Sequence, residues 1–281
     1  MLRRRSFLTA SAAALAAPLL ADAPARAAHH RPARAPCVFV AGDSTASVYA
    51  ADEAPRAGWG QALGLFLDGG TTVDDRALSG ASSKSFADLG LLDGILADIL
   101  PGDLLLVSFG HNDAKSEDPA RYTEPWSTYQ EQLTAYLDGA RRHGGRPVLV
   151  TSVERRRFTE DGAPRESHGD YPAAMRALAE HERVPLIDLT ALSLELWGEL
   201  GPEGTKSHFL WLEPGEYPGY PDGVQDDTHF QAHGAIEVAR LVAASLERLR
   251  VLAPRHVHRL GDTVSDSEVV WPGQRPVQSR S

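Results

Sequence analysis

Cysteine is almost absent from this sequence, which has Cys37 alone among 281 residues. A single thiol excludes an internal disulfide, so the fold must depend on a large apolar core rather than on crosslinks. Cys37 opens an apolar run, and we interpret it as a buried strand residue. The alternative, a lipid-anchored cysteine, is not favoured because Arg34-Ala35-Pro36 before it lacks the apolar residue that such an anchor requires.

The sequence also lacks an apolar run long enough to cross a membrane. Its longest, residues 7–20, is shorter than the roughly 20 residues that a spanning helix needs. This run follows Arg4 and Arg5, a twin-arginine pattern, and precedes a small-residue cleavage signal at Ala25-Arg26-Ala27. Residues 1–27 are therefore predicted to be a twin-arginine signal peptide, and we expect a secreted mature protein with no membrane partner.

Basic residues are outnumbered by acidic ones, 28 to 38, which gives a formal net charge of −10. Removal of residues 1–27 takes away four arginines and one aspartate and changes that charge to −13. Such a surface repels phosphate backbones, and no dense stripe of lysine and arginine compensates, so nucleic acid is excluded as a partner. The one basic run is Arg155-Arg156-Arg157, which we interpret as a solvated loop.

Apolar, strand-like runs alternate with helical patterns along the chain. The predicted strands are residues 37–41, 72–78, 103–109, 147–153 and 184–189, and the predicted helices are residues 58–67, 91–100, 129–144, 171–183 and 232–249. This alternation is typical of an α/β fold with a doubly wound parallel sheet between two layers of helices. Residues 104–107 are apolar without interruption, as in a strand covered on both faces.

No internal repeat and no flexible linker divides the mature chain, so one domain over residues 28–254 is predicted. Residues 198–227 are rich in glycine, proline and aromatic residues, a composition that predicts a long loop lining a site or forming a lid. Residues 255–281 have no periodicity and are predicted to be a C-terminal tail, either lying on the surface or disordered.

Polar residues follow the predicted strands where the ligand of an open parallel sheet lies, beyond the carboxyl ends. The four groups are Gly42-Asp43-Ser44-Thr45, Ser79-Gly80-Ala81-Ser82, Gly110-His111-Asn112-Asp113 and, in the loop before the last helix, Asp226 to His229. Each group alone fits ordinary turn chemistry. Their joint order at the ends of the right elements favours one site at that rim.

Together these groups contain the parts of an acyl-transfer site. Ser44 is the candidate nucleophile, His229 the base that takes its proton, and Asp226 the acid that fixes the histidine tautomer. The candidate oxyanion hole consists of the backbone N–H groups of Ser44 and Gly80 and the side-chain amide of Asn112. We hypothesise that Ser44, Asp226 and His229 are catalytic.

The four-residue spacing of His229 and His233 would also suit a metal on one helix face. A third ligand is missing and no His-Glu-x-x-His pattern occurs, so we expect no metal and no cofactor. Thr228 and Gln231 match a capping box, which predicts that they start the helix and that His233 is a packed or exposed helix residue.

Five short motifs extend the pattern over nearly all of residues 37–249. They are Val40-Ala41-Gly42-Asp43-Ser44-Thr45, Phe109-Gly110-His111-Asn112-Asp113, Thr151-Ser152-Val153-Glu154-Arg155-Arg156, Leu186-Ile187-Asp188-Leu189 and Asp226-Asp227-Thr228-His229-Phe230. In these motifs the chain resembles the SGNH (GDSL-like) hydrolases, and among them the rhamnogalacturonan acetylesterases. The resemblance implies a flavodoxin-like three-layer α/β/α fold, no metal, and removal of acetyl groups from pectic polysaccharide.

The resemblance also implies roles for matching residues: Ser44 as nucleophile, Ser44, Gly80 and Asn112 as oxyanion hole, and Asp226 with His229 completing the triad. Asp226 is preferred to Asp227 because the family pattern places the acid three positions before the histidine. Asp227 is then a supporting or helix-start charge. One departure is Asp75-Arg76, where relatives often have an asparagine.

Two alternatives stay open. One is an SGNH esterase for another ester, such as acetylated xylan or a short-chain lipid, because the aromatic residues at 209–220 suit either a sugar or an acyl chain. The other is a non-catalytic glycan-binding protein of the same fold. The expected partner is acetylated polysaccharide, whose galacturonate carboxylates the run Arg155-Arg156-Arg157 would attract, and the expected state is a monomer.

Overall fold

Eight strands and seven α-helices organise the part of the chain that the computed structural model describes, residues 34–273. The strands are β1 (Cys37–Gly42), β2 (Arg56–Ala57), β3 (Thr72–Asp75), β4 (Leu104–Ser108), β5 (Arg146–Val150), β6 (Leu186–Ile187), β7 (Phe209–Leu212) and β8 (Val224–Gln231). The helices are α1 (Trp59–Leu63), α2 (Ser83–Asp88), α3 (Leu91–Asp98), α4 (Gln130–Arg142), α5 (Tyr171–Glu182), α6 (Leu189–Gly204) and α7 (Ala232–Arg248). The signal peptide predicted at residues 1–27 lies outside the described residues.

The central sheet has the strand order β3-β1-β4-β5-β6, and every neighbouring pair is parallel. The predicted α/β fold with a flavodoxin-like doubly wound sheet is therefore confirmed. Since β1 lies between β3 and β4, the direction of winding reverses at β1. The loops that leave the carboxyl ends of β1, β3 and β4 consequently meet at the crevice where such sheets bind their ligands.

The two faces of this sheet separate the core into two halves. In β4, Leu104 and Leu106 pack into one half, and Leu105 and Val107 pack into the other, because successive side chains of a strand point to opposite faces. All five residues of β4 are buried, as expected for a strand with helices on both sides. The core on one side includes residues of α1, α6 and α7, and the other side includes residues of α2, α3, α4 and α5.

A second, antiparallel sheet with the order β2-β8-β7 was not predicted. Strands β7 and β8 take up residues 209–212 and 224–227 of the segment 198–227, and α6 extends into it as far as Gly204, so the prediction of one long loop there is wrong. The apolar run that forms β7 is short and enclosed by glycines and prolines, which obscured it. Its Phe209 pairs with Phe230 of β8 and packs against Trp197, inside the core.

This sheet also changes the position of the residues from Asp226 to His229. They lie in β8 and not in a loop that starts a helix. The predicted capping box is wrong as well, because Gln231 is the N-cap of α7 and its side chain makes no cap hydrogen bond. The Gln231 amide instead donates to the carbonyl oxygen of Phe209 at 2.9 Å, which fastens the end of β8 to β7.

Two smaller predictions also need correction. Cys37 begins β1 as expected but is half-buried and not buried. The predicted C-terminal tail is described as far as Gly273, and in it Val264, Val269 and Trp271 are buried in the core. The Trp271 indole donates to the carbonyl oxygen of Arg56 at 2.9 Å, so this part of the segment is neither disordered nor merely superficial.

None of the helices within residues 34–273 has the length and apolar character that crossing a bilayer requires.

Candidate active site

Ser44 lies in a turn directly after β1. The buried carboxylate of Asp43 closes this turn by accepting hydrogen bonds from the Thr45 N–H at 2.9 Å and the Thr45 hydroxyl at 2.8 Å. Burial raises the pKa of Asp43, and the two bonds from Thr45 oppose that rise. Behind the turn, the Tyr49 hydroxyl donates to the carbonyl oxygen of Ser44 at 2.6 Å. A loop follows this turn and leads to a short 3₁₀ turn at Ala51–Glu53 and then to α1.

Ser44, His229 and Asp226 form one hydrogen-bonded line. The Ser44 Oγ lies 2.9 Å from His229 Nε2, and His229 Nδ1 lies 2.6 Å from Asp226 Oδ2. The other carboxylate oxygen, Oδ1, accepts the N–H groups of Thr228 at 2.7 Å and His229 at 3.0 Å. The structure thus brings together the three residues that the sequence nominated, from β8 and from the end of β1.

The ionisation of Asp226 decides which histidine nitrogen carries the proton. Burial alone would raise the pKa of Asp226, but the hydrogen bond and positive charge of His229 and the two backbone N–H groups outweigh it and lower the pKa to about 2. An ionised carboxylate only accepts hydrogen bonds, so the proton of a neutral His229 lies on Nδ1. The free electron pair on Nε2 then faces the Ser44 hydroxyl, as a general base requires.

The three proposed oxyanion donors lie around the same cavity. Ser44, Gly80 and Asn112 line it together with His229, and its volume is about 290 Å³. Asn112 uses one amide hydrogen to reach the carbonyl oxygen of Ala81 at 2.9 Å, which leaves the second hydrogen available. Within residues 34–273, the backbone N–H groups of Ser44 and Gly80 donate to no protein atom. Gly80 adopts φ of 82°, a left-handed conformation in which a side chain would be strained.

The loop that carries Asn112 is anchored by residues that sequence reasoning did not assign. Gly110 adopts φ of 145°, and a side chain there would overlap the hydroxyl of Ser152. The carboxylate of Asp113 is fully buried and accepts hydrogen bonds from the N–H and hydroxyl of Ser83 and from the Thr123 hydroxyl at 3.0 Å. Burial raises the pKa of Asp113 to about 6 against the opposing effect of these bonds.

Asp227 points away from this line and binds the arginine run. Its carboxylate accepts from Arg156 at 3.1 Å, from Arg157 at 3.4 Å and from the Trp211 indole at 3.0 Å. Asp227 is therefore not a helix-start charge. The interpretation of the run as a solvated loop is wrong for Arg156, whose side chain is 11% exposed, and for Arg155, which lines the cavity.

His111 also lines the cavity. Its ring is buried, lies 4.4 Å from the ring of His168, and has no hydrogen-bond partner within residues 34–273 for either nitrogen. Burial holds the pKa of His111 well below its ordinary value, with the charges of His168, Arg155 and His229 acting in the same direction. The ring is thus neutral.

The second histidine of the motif, His233, lies on α7 apart from the line. Its Nδ1 is 3.3 Å from an Asp266 oxygen, and its ring packs on His208 with centroids 4.6 Å apart. His229 directs both ring nitrogens to Asp226 and Ser44. In the described part of the chain, no group of three or more His, Cys, Asp or Glu side chains is arranged to hold a metal ion.

Comparison with known proteins agrees with this geometry. Residues 40–235 match the GDSL-like lipase/acylhydrolase family. Over 220 residues the chain is 48% identical to the rhamnogalacturonan acetylesterase RhgT of Bacillus subtilis, covering 78% of this chain and 93% of that protein. A probable rhamnogalacturonan acetylesterase of the same organism, YesY, is 42% identical over 212 residues, 75% of this chain and 93% of the relative.

Among solved structures, that of the protein YxiM from Bacillus subtilis superposes with a TM-score of 0.67 at 29% identity, covering 78% of this chain and 58% of that one. The family match spans well over half of the sequence and includes Ser44, Gly80, Asn112, Asp226 and His229. The resemblance found in the sequence motifs is thereby confirmed. The chain belongs to the GDSL-like lipase/acylhydrolase family and is a carboxylic ester hydrolase.

Proposed function

We propose that the protein removes acetyl groups from rhamnogalacturonan, the acetylated pectic polysaccharide, through an acyl-enzyme on Ser44. The observation that carries this proposal is the line from Ser44 through His229 to Asp226, which ends in a cavity with three oxyanion donors. The relative named as a rhamnogalacturonan acetylesterase, at 48% identity, supports the choice of substrate.

In the first half of the reaction, the Ser44 Oγ attacks the acetyl carbonyl carbon while His229 Nε2 takes the hydroxyl proton. The imidazolium that forms is stabilised by the ionised Asp226 carboxylate 2.6 Å from Nδ1. Collapse of the tetrahedral intermediate breaks the ester bond, and His229 gives the proton to the departing sugar oxygen. Water, activated by the same nitrogen, then releases acetate from Ser44.

The negative oxygen of each tetrahedral intermediate is bound by the N–H groups of Ser44 and Gly80 and by the free amide hydrogen of Asn112. All three donors are uncharged and fixed before substrate arrives, so little reorganisation is needed when the charge develops. Loss of one such donor typically lowers the rate by roughly 10² to 10³.

An esterase for long acyl chains is less well supported. The aromatic residues expected to cover an acyl chain or stack on a sugar, Phe209, Trp211, Tyr217 and Tyr220, do not line the described cavity. Phe209 is fully buried, and Trp211 packs against Arg156 with its ring centroid 4.4 Å from the guanidinium carbon. The cavity instead is polar and of a size for a short acyl group.

The test is release of acetate from acetylated rhamnogalacturonan, acetylated xylan and 4-nitrophenyl acetate by wild type and by Ser44→Ala. We expect the highest kcat/KM on rhamnogalacturonan and loss of all three activities in the variant. Higher kcat/KM on acetylated xylan than on rhamnogalacturonan would mean that xylan is the substrate. A well-folded wild type without activity on any of the three would favour the glycan-binding alternative.

We further propose that the protein is exported by the twin-arginine route and acts outside the cell as a monomer. The pattern at Arg4 and Arg5 supports the route. Replacing both arginines by lysine should retain the protein inside the cell, and light scattering of the mature protein should give the monomer mass. Export that persists, or a dimer mass, would contradict the respective statement.

A further inference from the structure

The cavity beside Ser44 has a charge opposite to that of the protein. The full chain has a net charge of −10, yet none of the ten residues that line this cavity is an aspartate or a glutamate. Three of them are cations, Arg56, Lys115 and Arg155. A local concentration of positive charge in an acidic protein attracts an anion to this point and away from the rest of the surface.

Arg155 is held in place without a counterion. Its Nη1 donates to the carbonyl oxygen of Ser167 at 3.1 Å and approaches His168 Nδ1 at 3.2 Å. Ser167 is in turn fixed by the buried Glu154 carboxylate, which accepts the Ser167 hydroxyl at 2.6 Å and its N–H at 3.0 Å. All hydrogen bonds of the Arg155 side chain within residues 34–273 use Nη1, so its other nitrogens stay available for a ligand.

The two arginines that follow Arg155 each have a carboxylate partner. Arg156 and Arg157 both bind the carboxylate of Asp227, whereas no carboxylate of residues 34–273 lies within 4.0 Å of the Arg155 nitrogens. Burial lowers the pKa of Arg155, and the more distant charges of Asp43 and Glu154 only oppose this effect. A half-buried guanidinium without a bound anion has lost part of its hydration and has no partner in exchange, so binding a carboxylate stabilises it strongly.

Lys115 and His111 add to the same wall. The ammonium of Lys115 forms no hydrogen bond or ion pair with any residue of 34–273. The two ring nitrogens of His111 are buried and have no partner there, and the ring lines the cavity. A neutral imidazole has one donor and one acceptor nitrogen, so it can donate to a carboxylate or bind a sugar hydroxyl beside it.

We propose that Arg155, with Lys115 and His111, forms a subsite for a carboxylate of the substrate, next to the ester bound at Ser44. The ligand class is a uronate-containing, acetylated glycan, and the subsite selects such esters over neutral ones. This inference rests on the proposed esterase function and deepens it. Arg155 presents a planar, pre-oriented guanidinium that suits bidentate binding of a carboxylate, and Lys115 supplies a flexible point charge.

The main experiment compares two forms of one acetylated galacturonate oligosaccharide, with free carboxylates and with methyl-esterified carboxylates. For wild type we expect kcat/KM to be about tenfold higher on the free acid, mainly through KM. Arg155→Gln should bring this ratio close to one, and Lys115→Gln should lower it about threefold. Arg157→Gln is the matched control, because its side chain is 49% exposed and lies outside the cavity wall, so the ratio should remain that of wild type.

A binding measurement tests the subsite independently of catalysis. Calorimetry with Ser44→Ala should show a galacturonate oligosaccharide binding more tightly than its methyl ester, and adding Arg155→Gln should remove the difference. Equal binding of the two oligosaccharides to folded protein, or a ratio that neither Arg155→Gln nor Lys115→Gln changes, would overturn the subsite. If the protein hydrolysed no acetyl ester but still bound the galacturonate oligosaccharide more tightly than its methyl ester, only the esterase function would be overturned.

Discussion

Asn112 donates an amide hydrogen to the carbonyl oxygen of Ala81 at 2.9 Å and thereby joins two loops of the site. One loop follows β3 and the other follows β4, and these strands lie on either side of β1 in the sheet. The bond therefore links the loops that flank the turn of Ser44. In the proposed mechanism Asn112 has two tasks: one amide hydrogen positions the loop of Gly80, and the other binds the oxyanion.

Replacing Asn112 by alanine should remove both contributions. We expect kcat to fall by about 10² to 10³, since one oxyanion donor is lost and Gly80 is less well positioned, while KM changes little. Steady-state kinetics on 4-nitrophenyl acetate would measure the split between kcat and KM.

A matched control for Asn112 is Gln130→Ala. The Gln130 amide makes the same kind of bond, to the carbonyl oxygen of Ala174 at 2.9 Å, on α4 and outside the cavity wall. Its loss should lower stability by about 1 kcal/mol without an effect on kcat. A similar loss of kcat in both variants would mean that the Asn112 effect is one of stability.

Asp226 and Asp227 are neighbours in the sequence but should respond differently to replacement by asparagine. Asp226→Asn should lower kcat by about 10³ to 10⁴, because an asparagine amide favours the histidine tautomer whose Nε2 carries the proton and is no longer a base. Asp227→Asn should retain most of kcat and instead lower the melting temperature, because Asp227 binds Arg156, Arg157 and Trp211.

The discriminating measurement is the ratio of the two kcat values at one pH, with circular dichroism to verify folding of each variant. Equal losses, or a larger loss for Asp227→Asn, would transfer the role of triad acid away from Asp226.

The sheet was predictable from the sequence because its central strands β1, β4 and β5 are buried on both faces. Unbroken apolar runs such as Leu104-Leu105-Leu106-Val107 have one plausible location, and the polar groups after β1, β3 and β4 then follow from the sheet alone. The second sheet was not predictable in this way. In β8, the sequence from Asp226 to His229 is polar because it serves the site, so it shows neither the alternation nor the apolar residues of an ordinary strand.

The residues of the site were predictable where their chemistry is required by residue type. A serine, a histidine and an aspartate at the proposed positions identify the line from Ser44 to Asp226. Asp113 and Arg155 were harder to assign, because their roles depend on distant partners, Ser83 and Thr123 for one and Ser167 and His168 for the other. No local pattern indicates that Arg155 faces a cavity while Arg156 binds Asp227.

Asp75 gives a prediction for stability against pH. Burial raises the pKa of this carboxyl to about 8, against the opposing bond from the Ala77 N–H, and its Oδ2 has no partner within residues 34–273. In the unfolded chain the group ionises near its ordinary pKa of 3.8. Between these values the folded protein keeps a proton that the unfolded chain loses, so stability falls as the pH rises from about 4 to about 8.

Asp75→Asn should remove this dependence while its side-chain oxygen still accepts from the Ala77 N–H. We expect little gain in the free energy of unfolding at pH 4 and a gain of at least about 1 kcal/mol at pH 8, since each unit of pKa shift corresponds to about 1.4 kcal/mol. The free energy of unfolding of both proteins is measured by urea unfolding at several pH values. Asp74→Asn, which loses an ion pair with Arg76, is the control and should give no gain. A gain of the same size at both pH values would contradict ionisation as its cause.

The backbone at Gly110 supports the last prediction. Gly110→Ala places a methyl group against the hydroxyl of Ser152 in a conformation, φ of 145°, that alanine rarely adopts. Because Asn112 lies two residues further on, the loop must shift, and both the melting temperature and kcat should fall. Gly94→Ala in α3 is the control: a methyl group there meets no neighbour, and alanine favours a helix by about 1 kcal/mol, so stability should rise at unchanged kcat. If Gly110→Ala lowered stability while kcat stayed intact, the position of Asn112 would not depend on this turn.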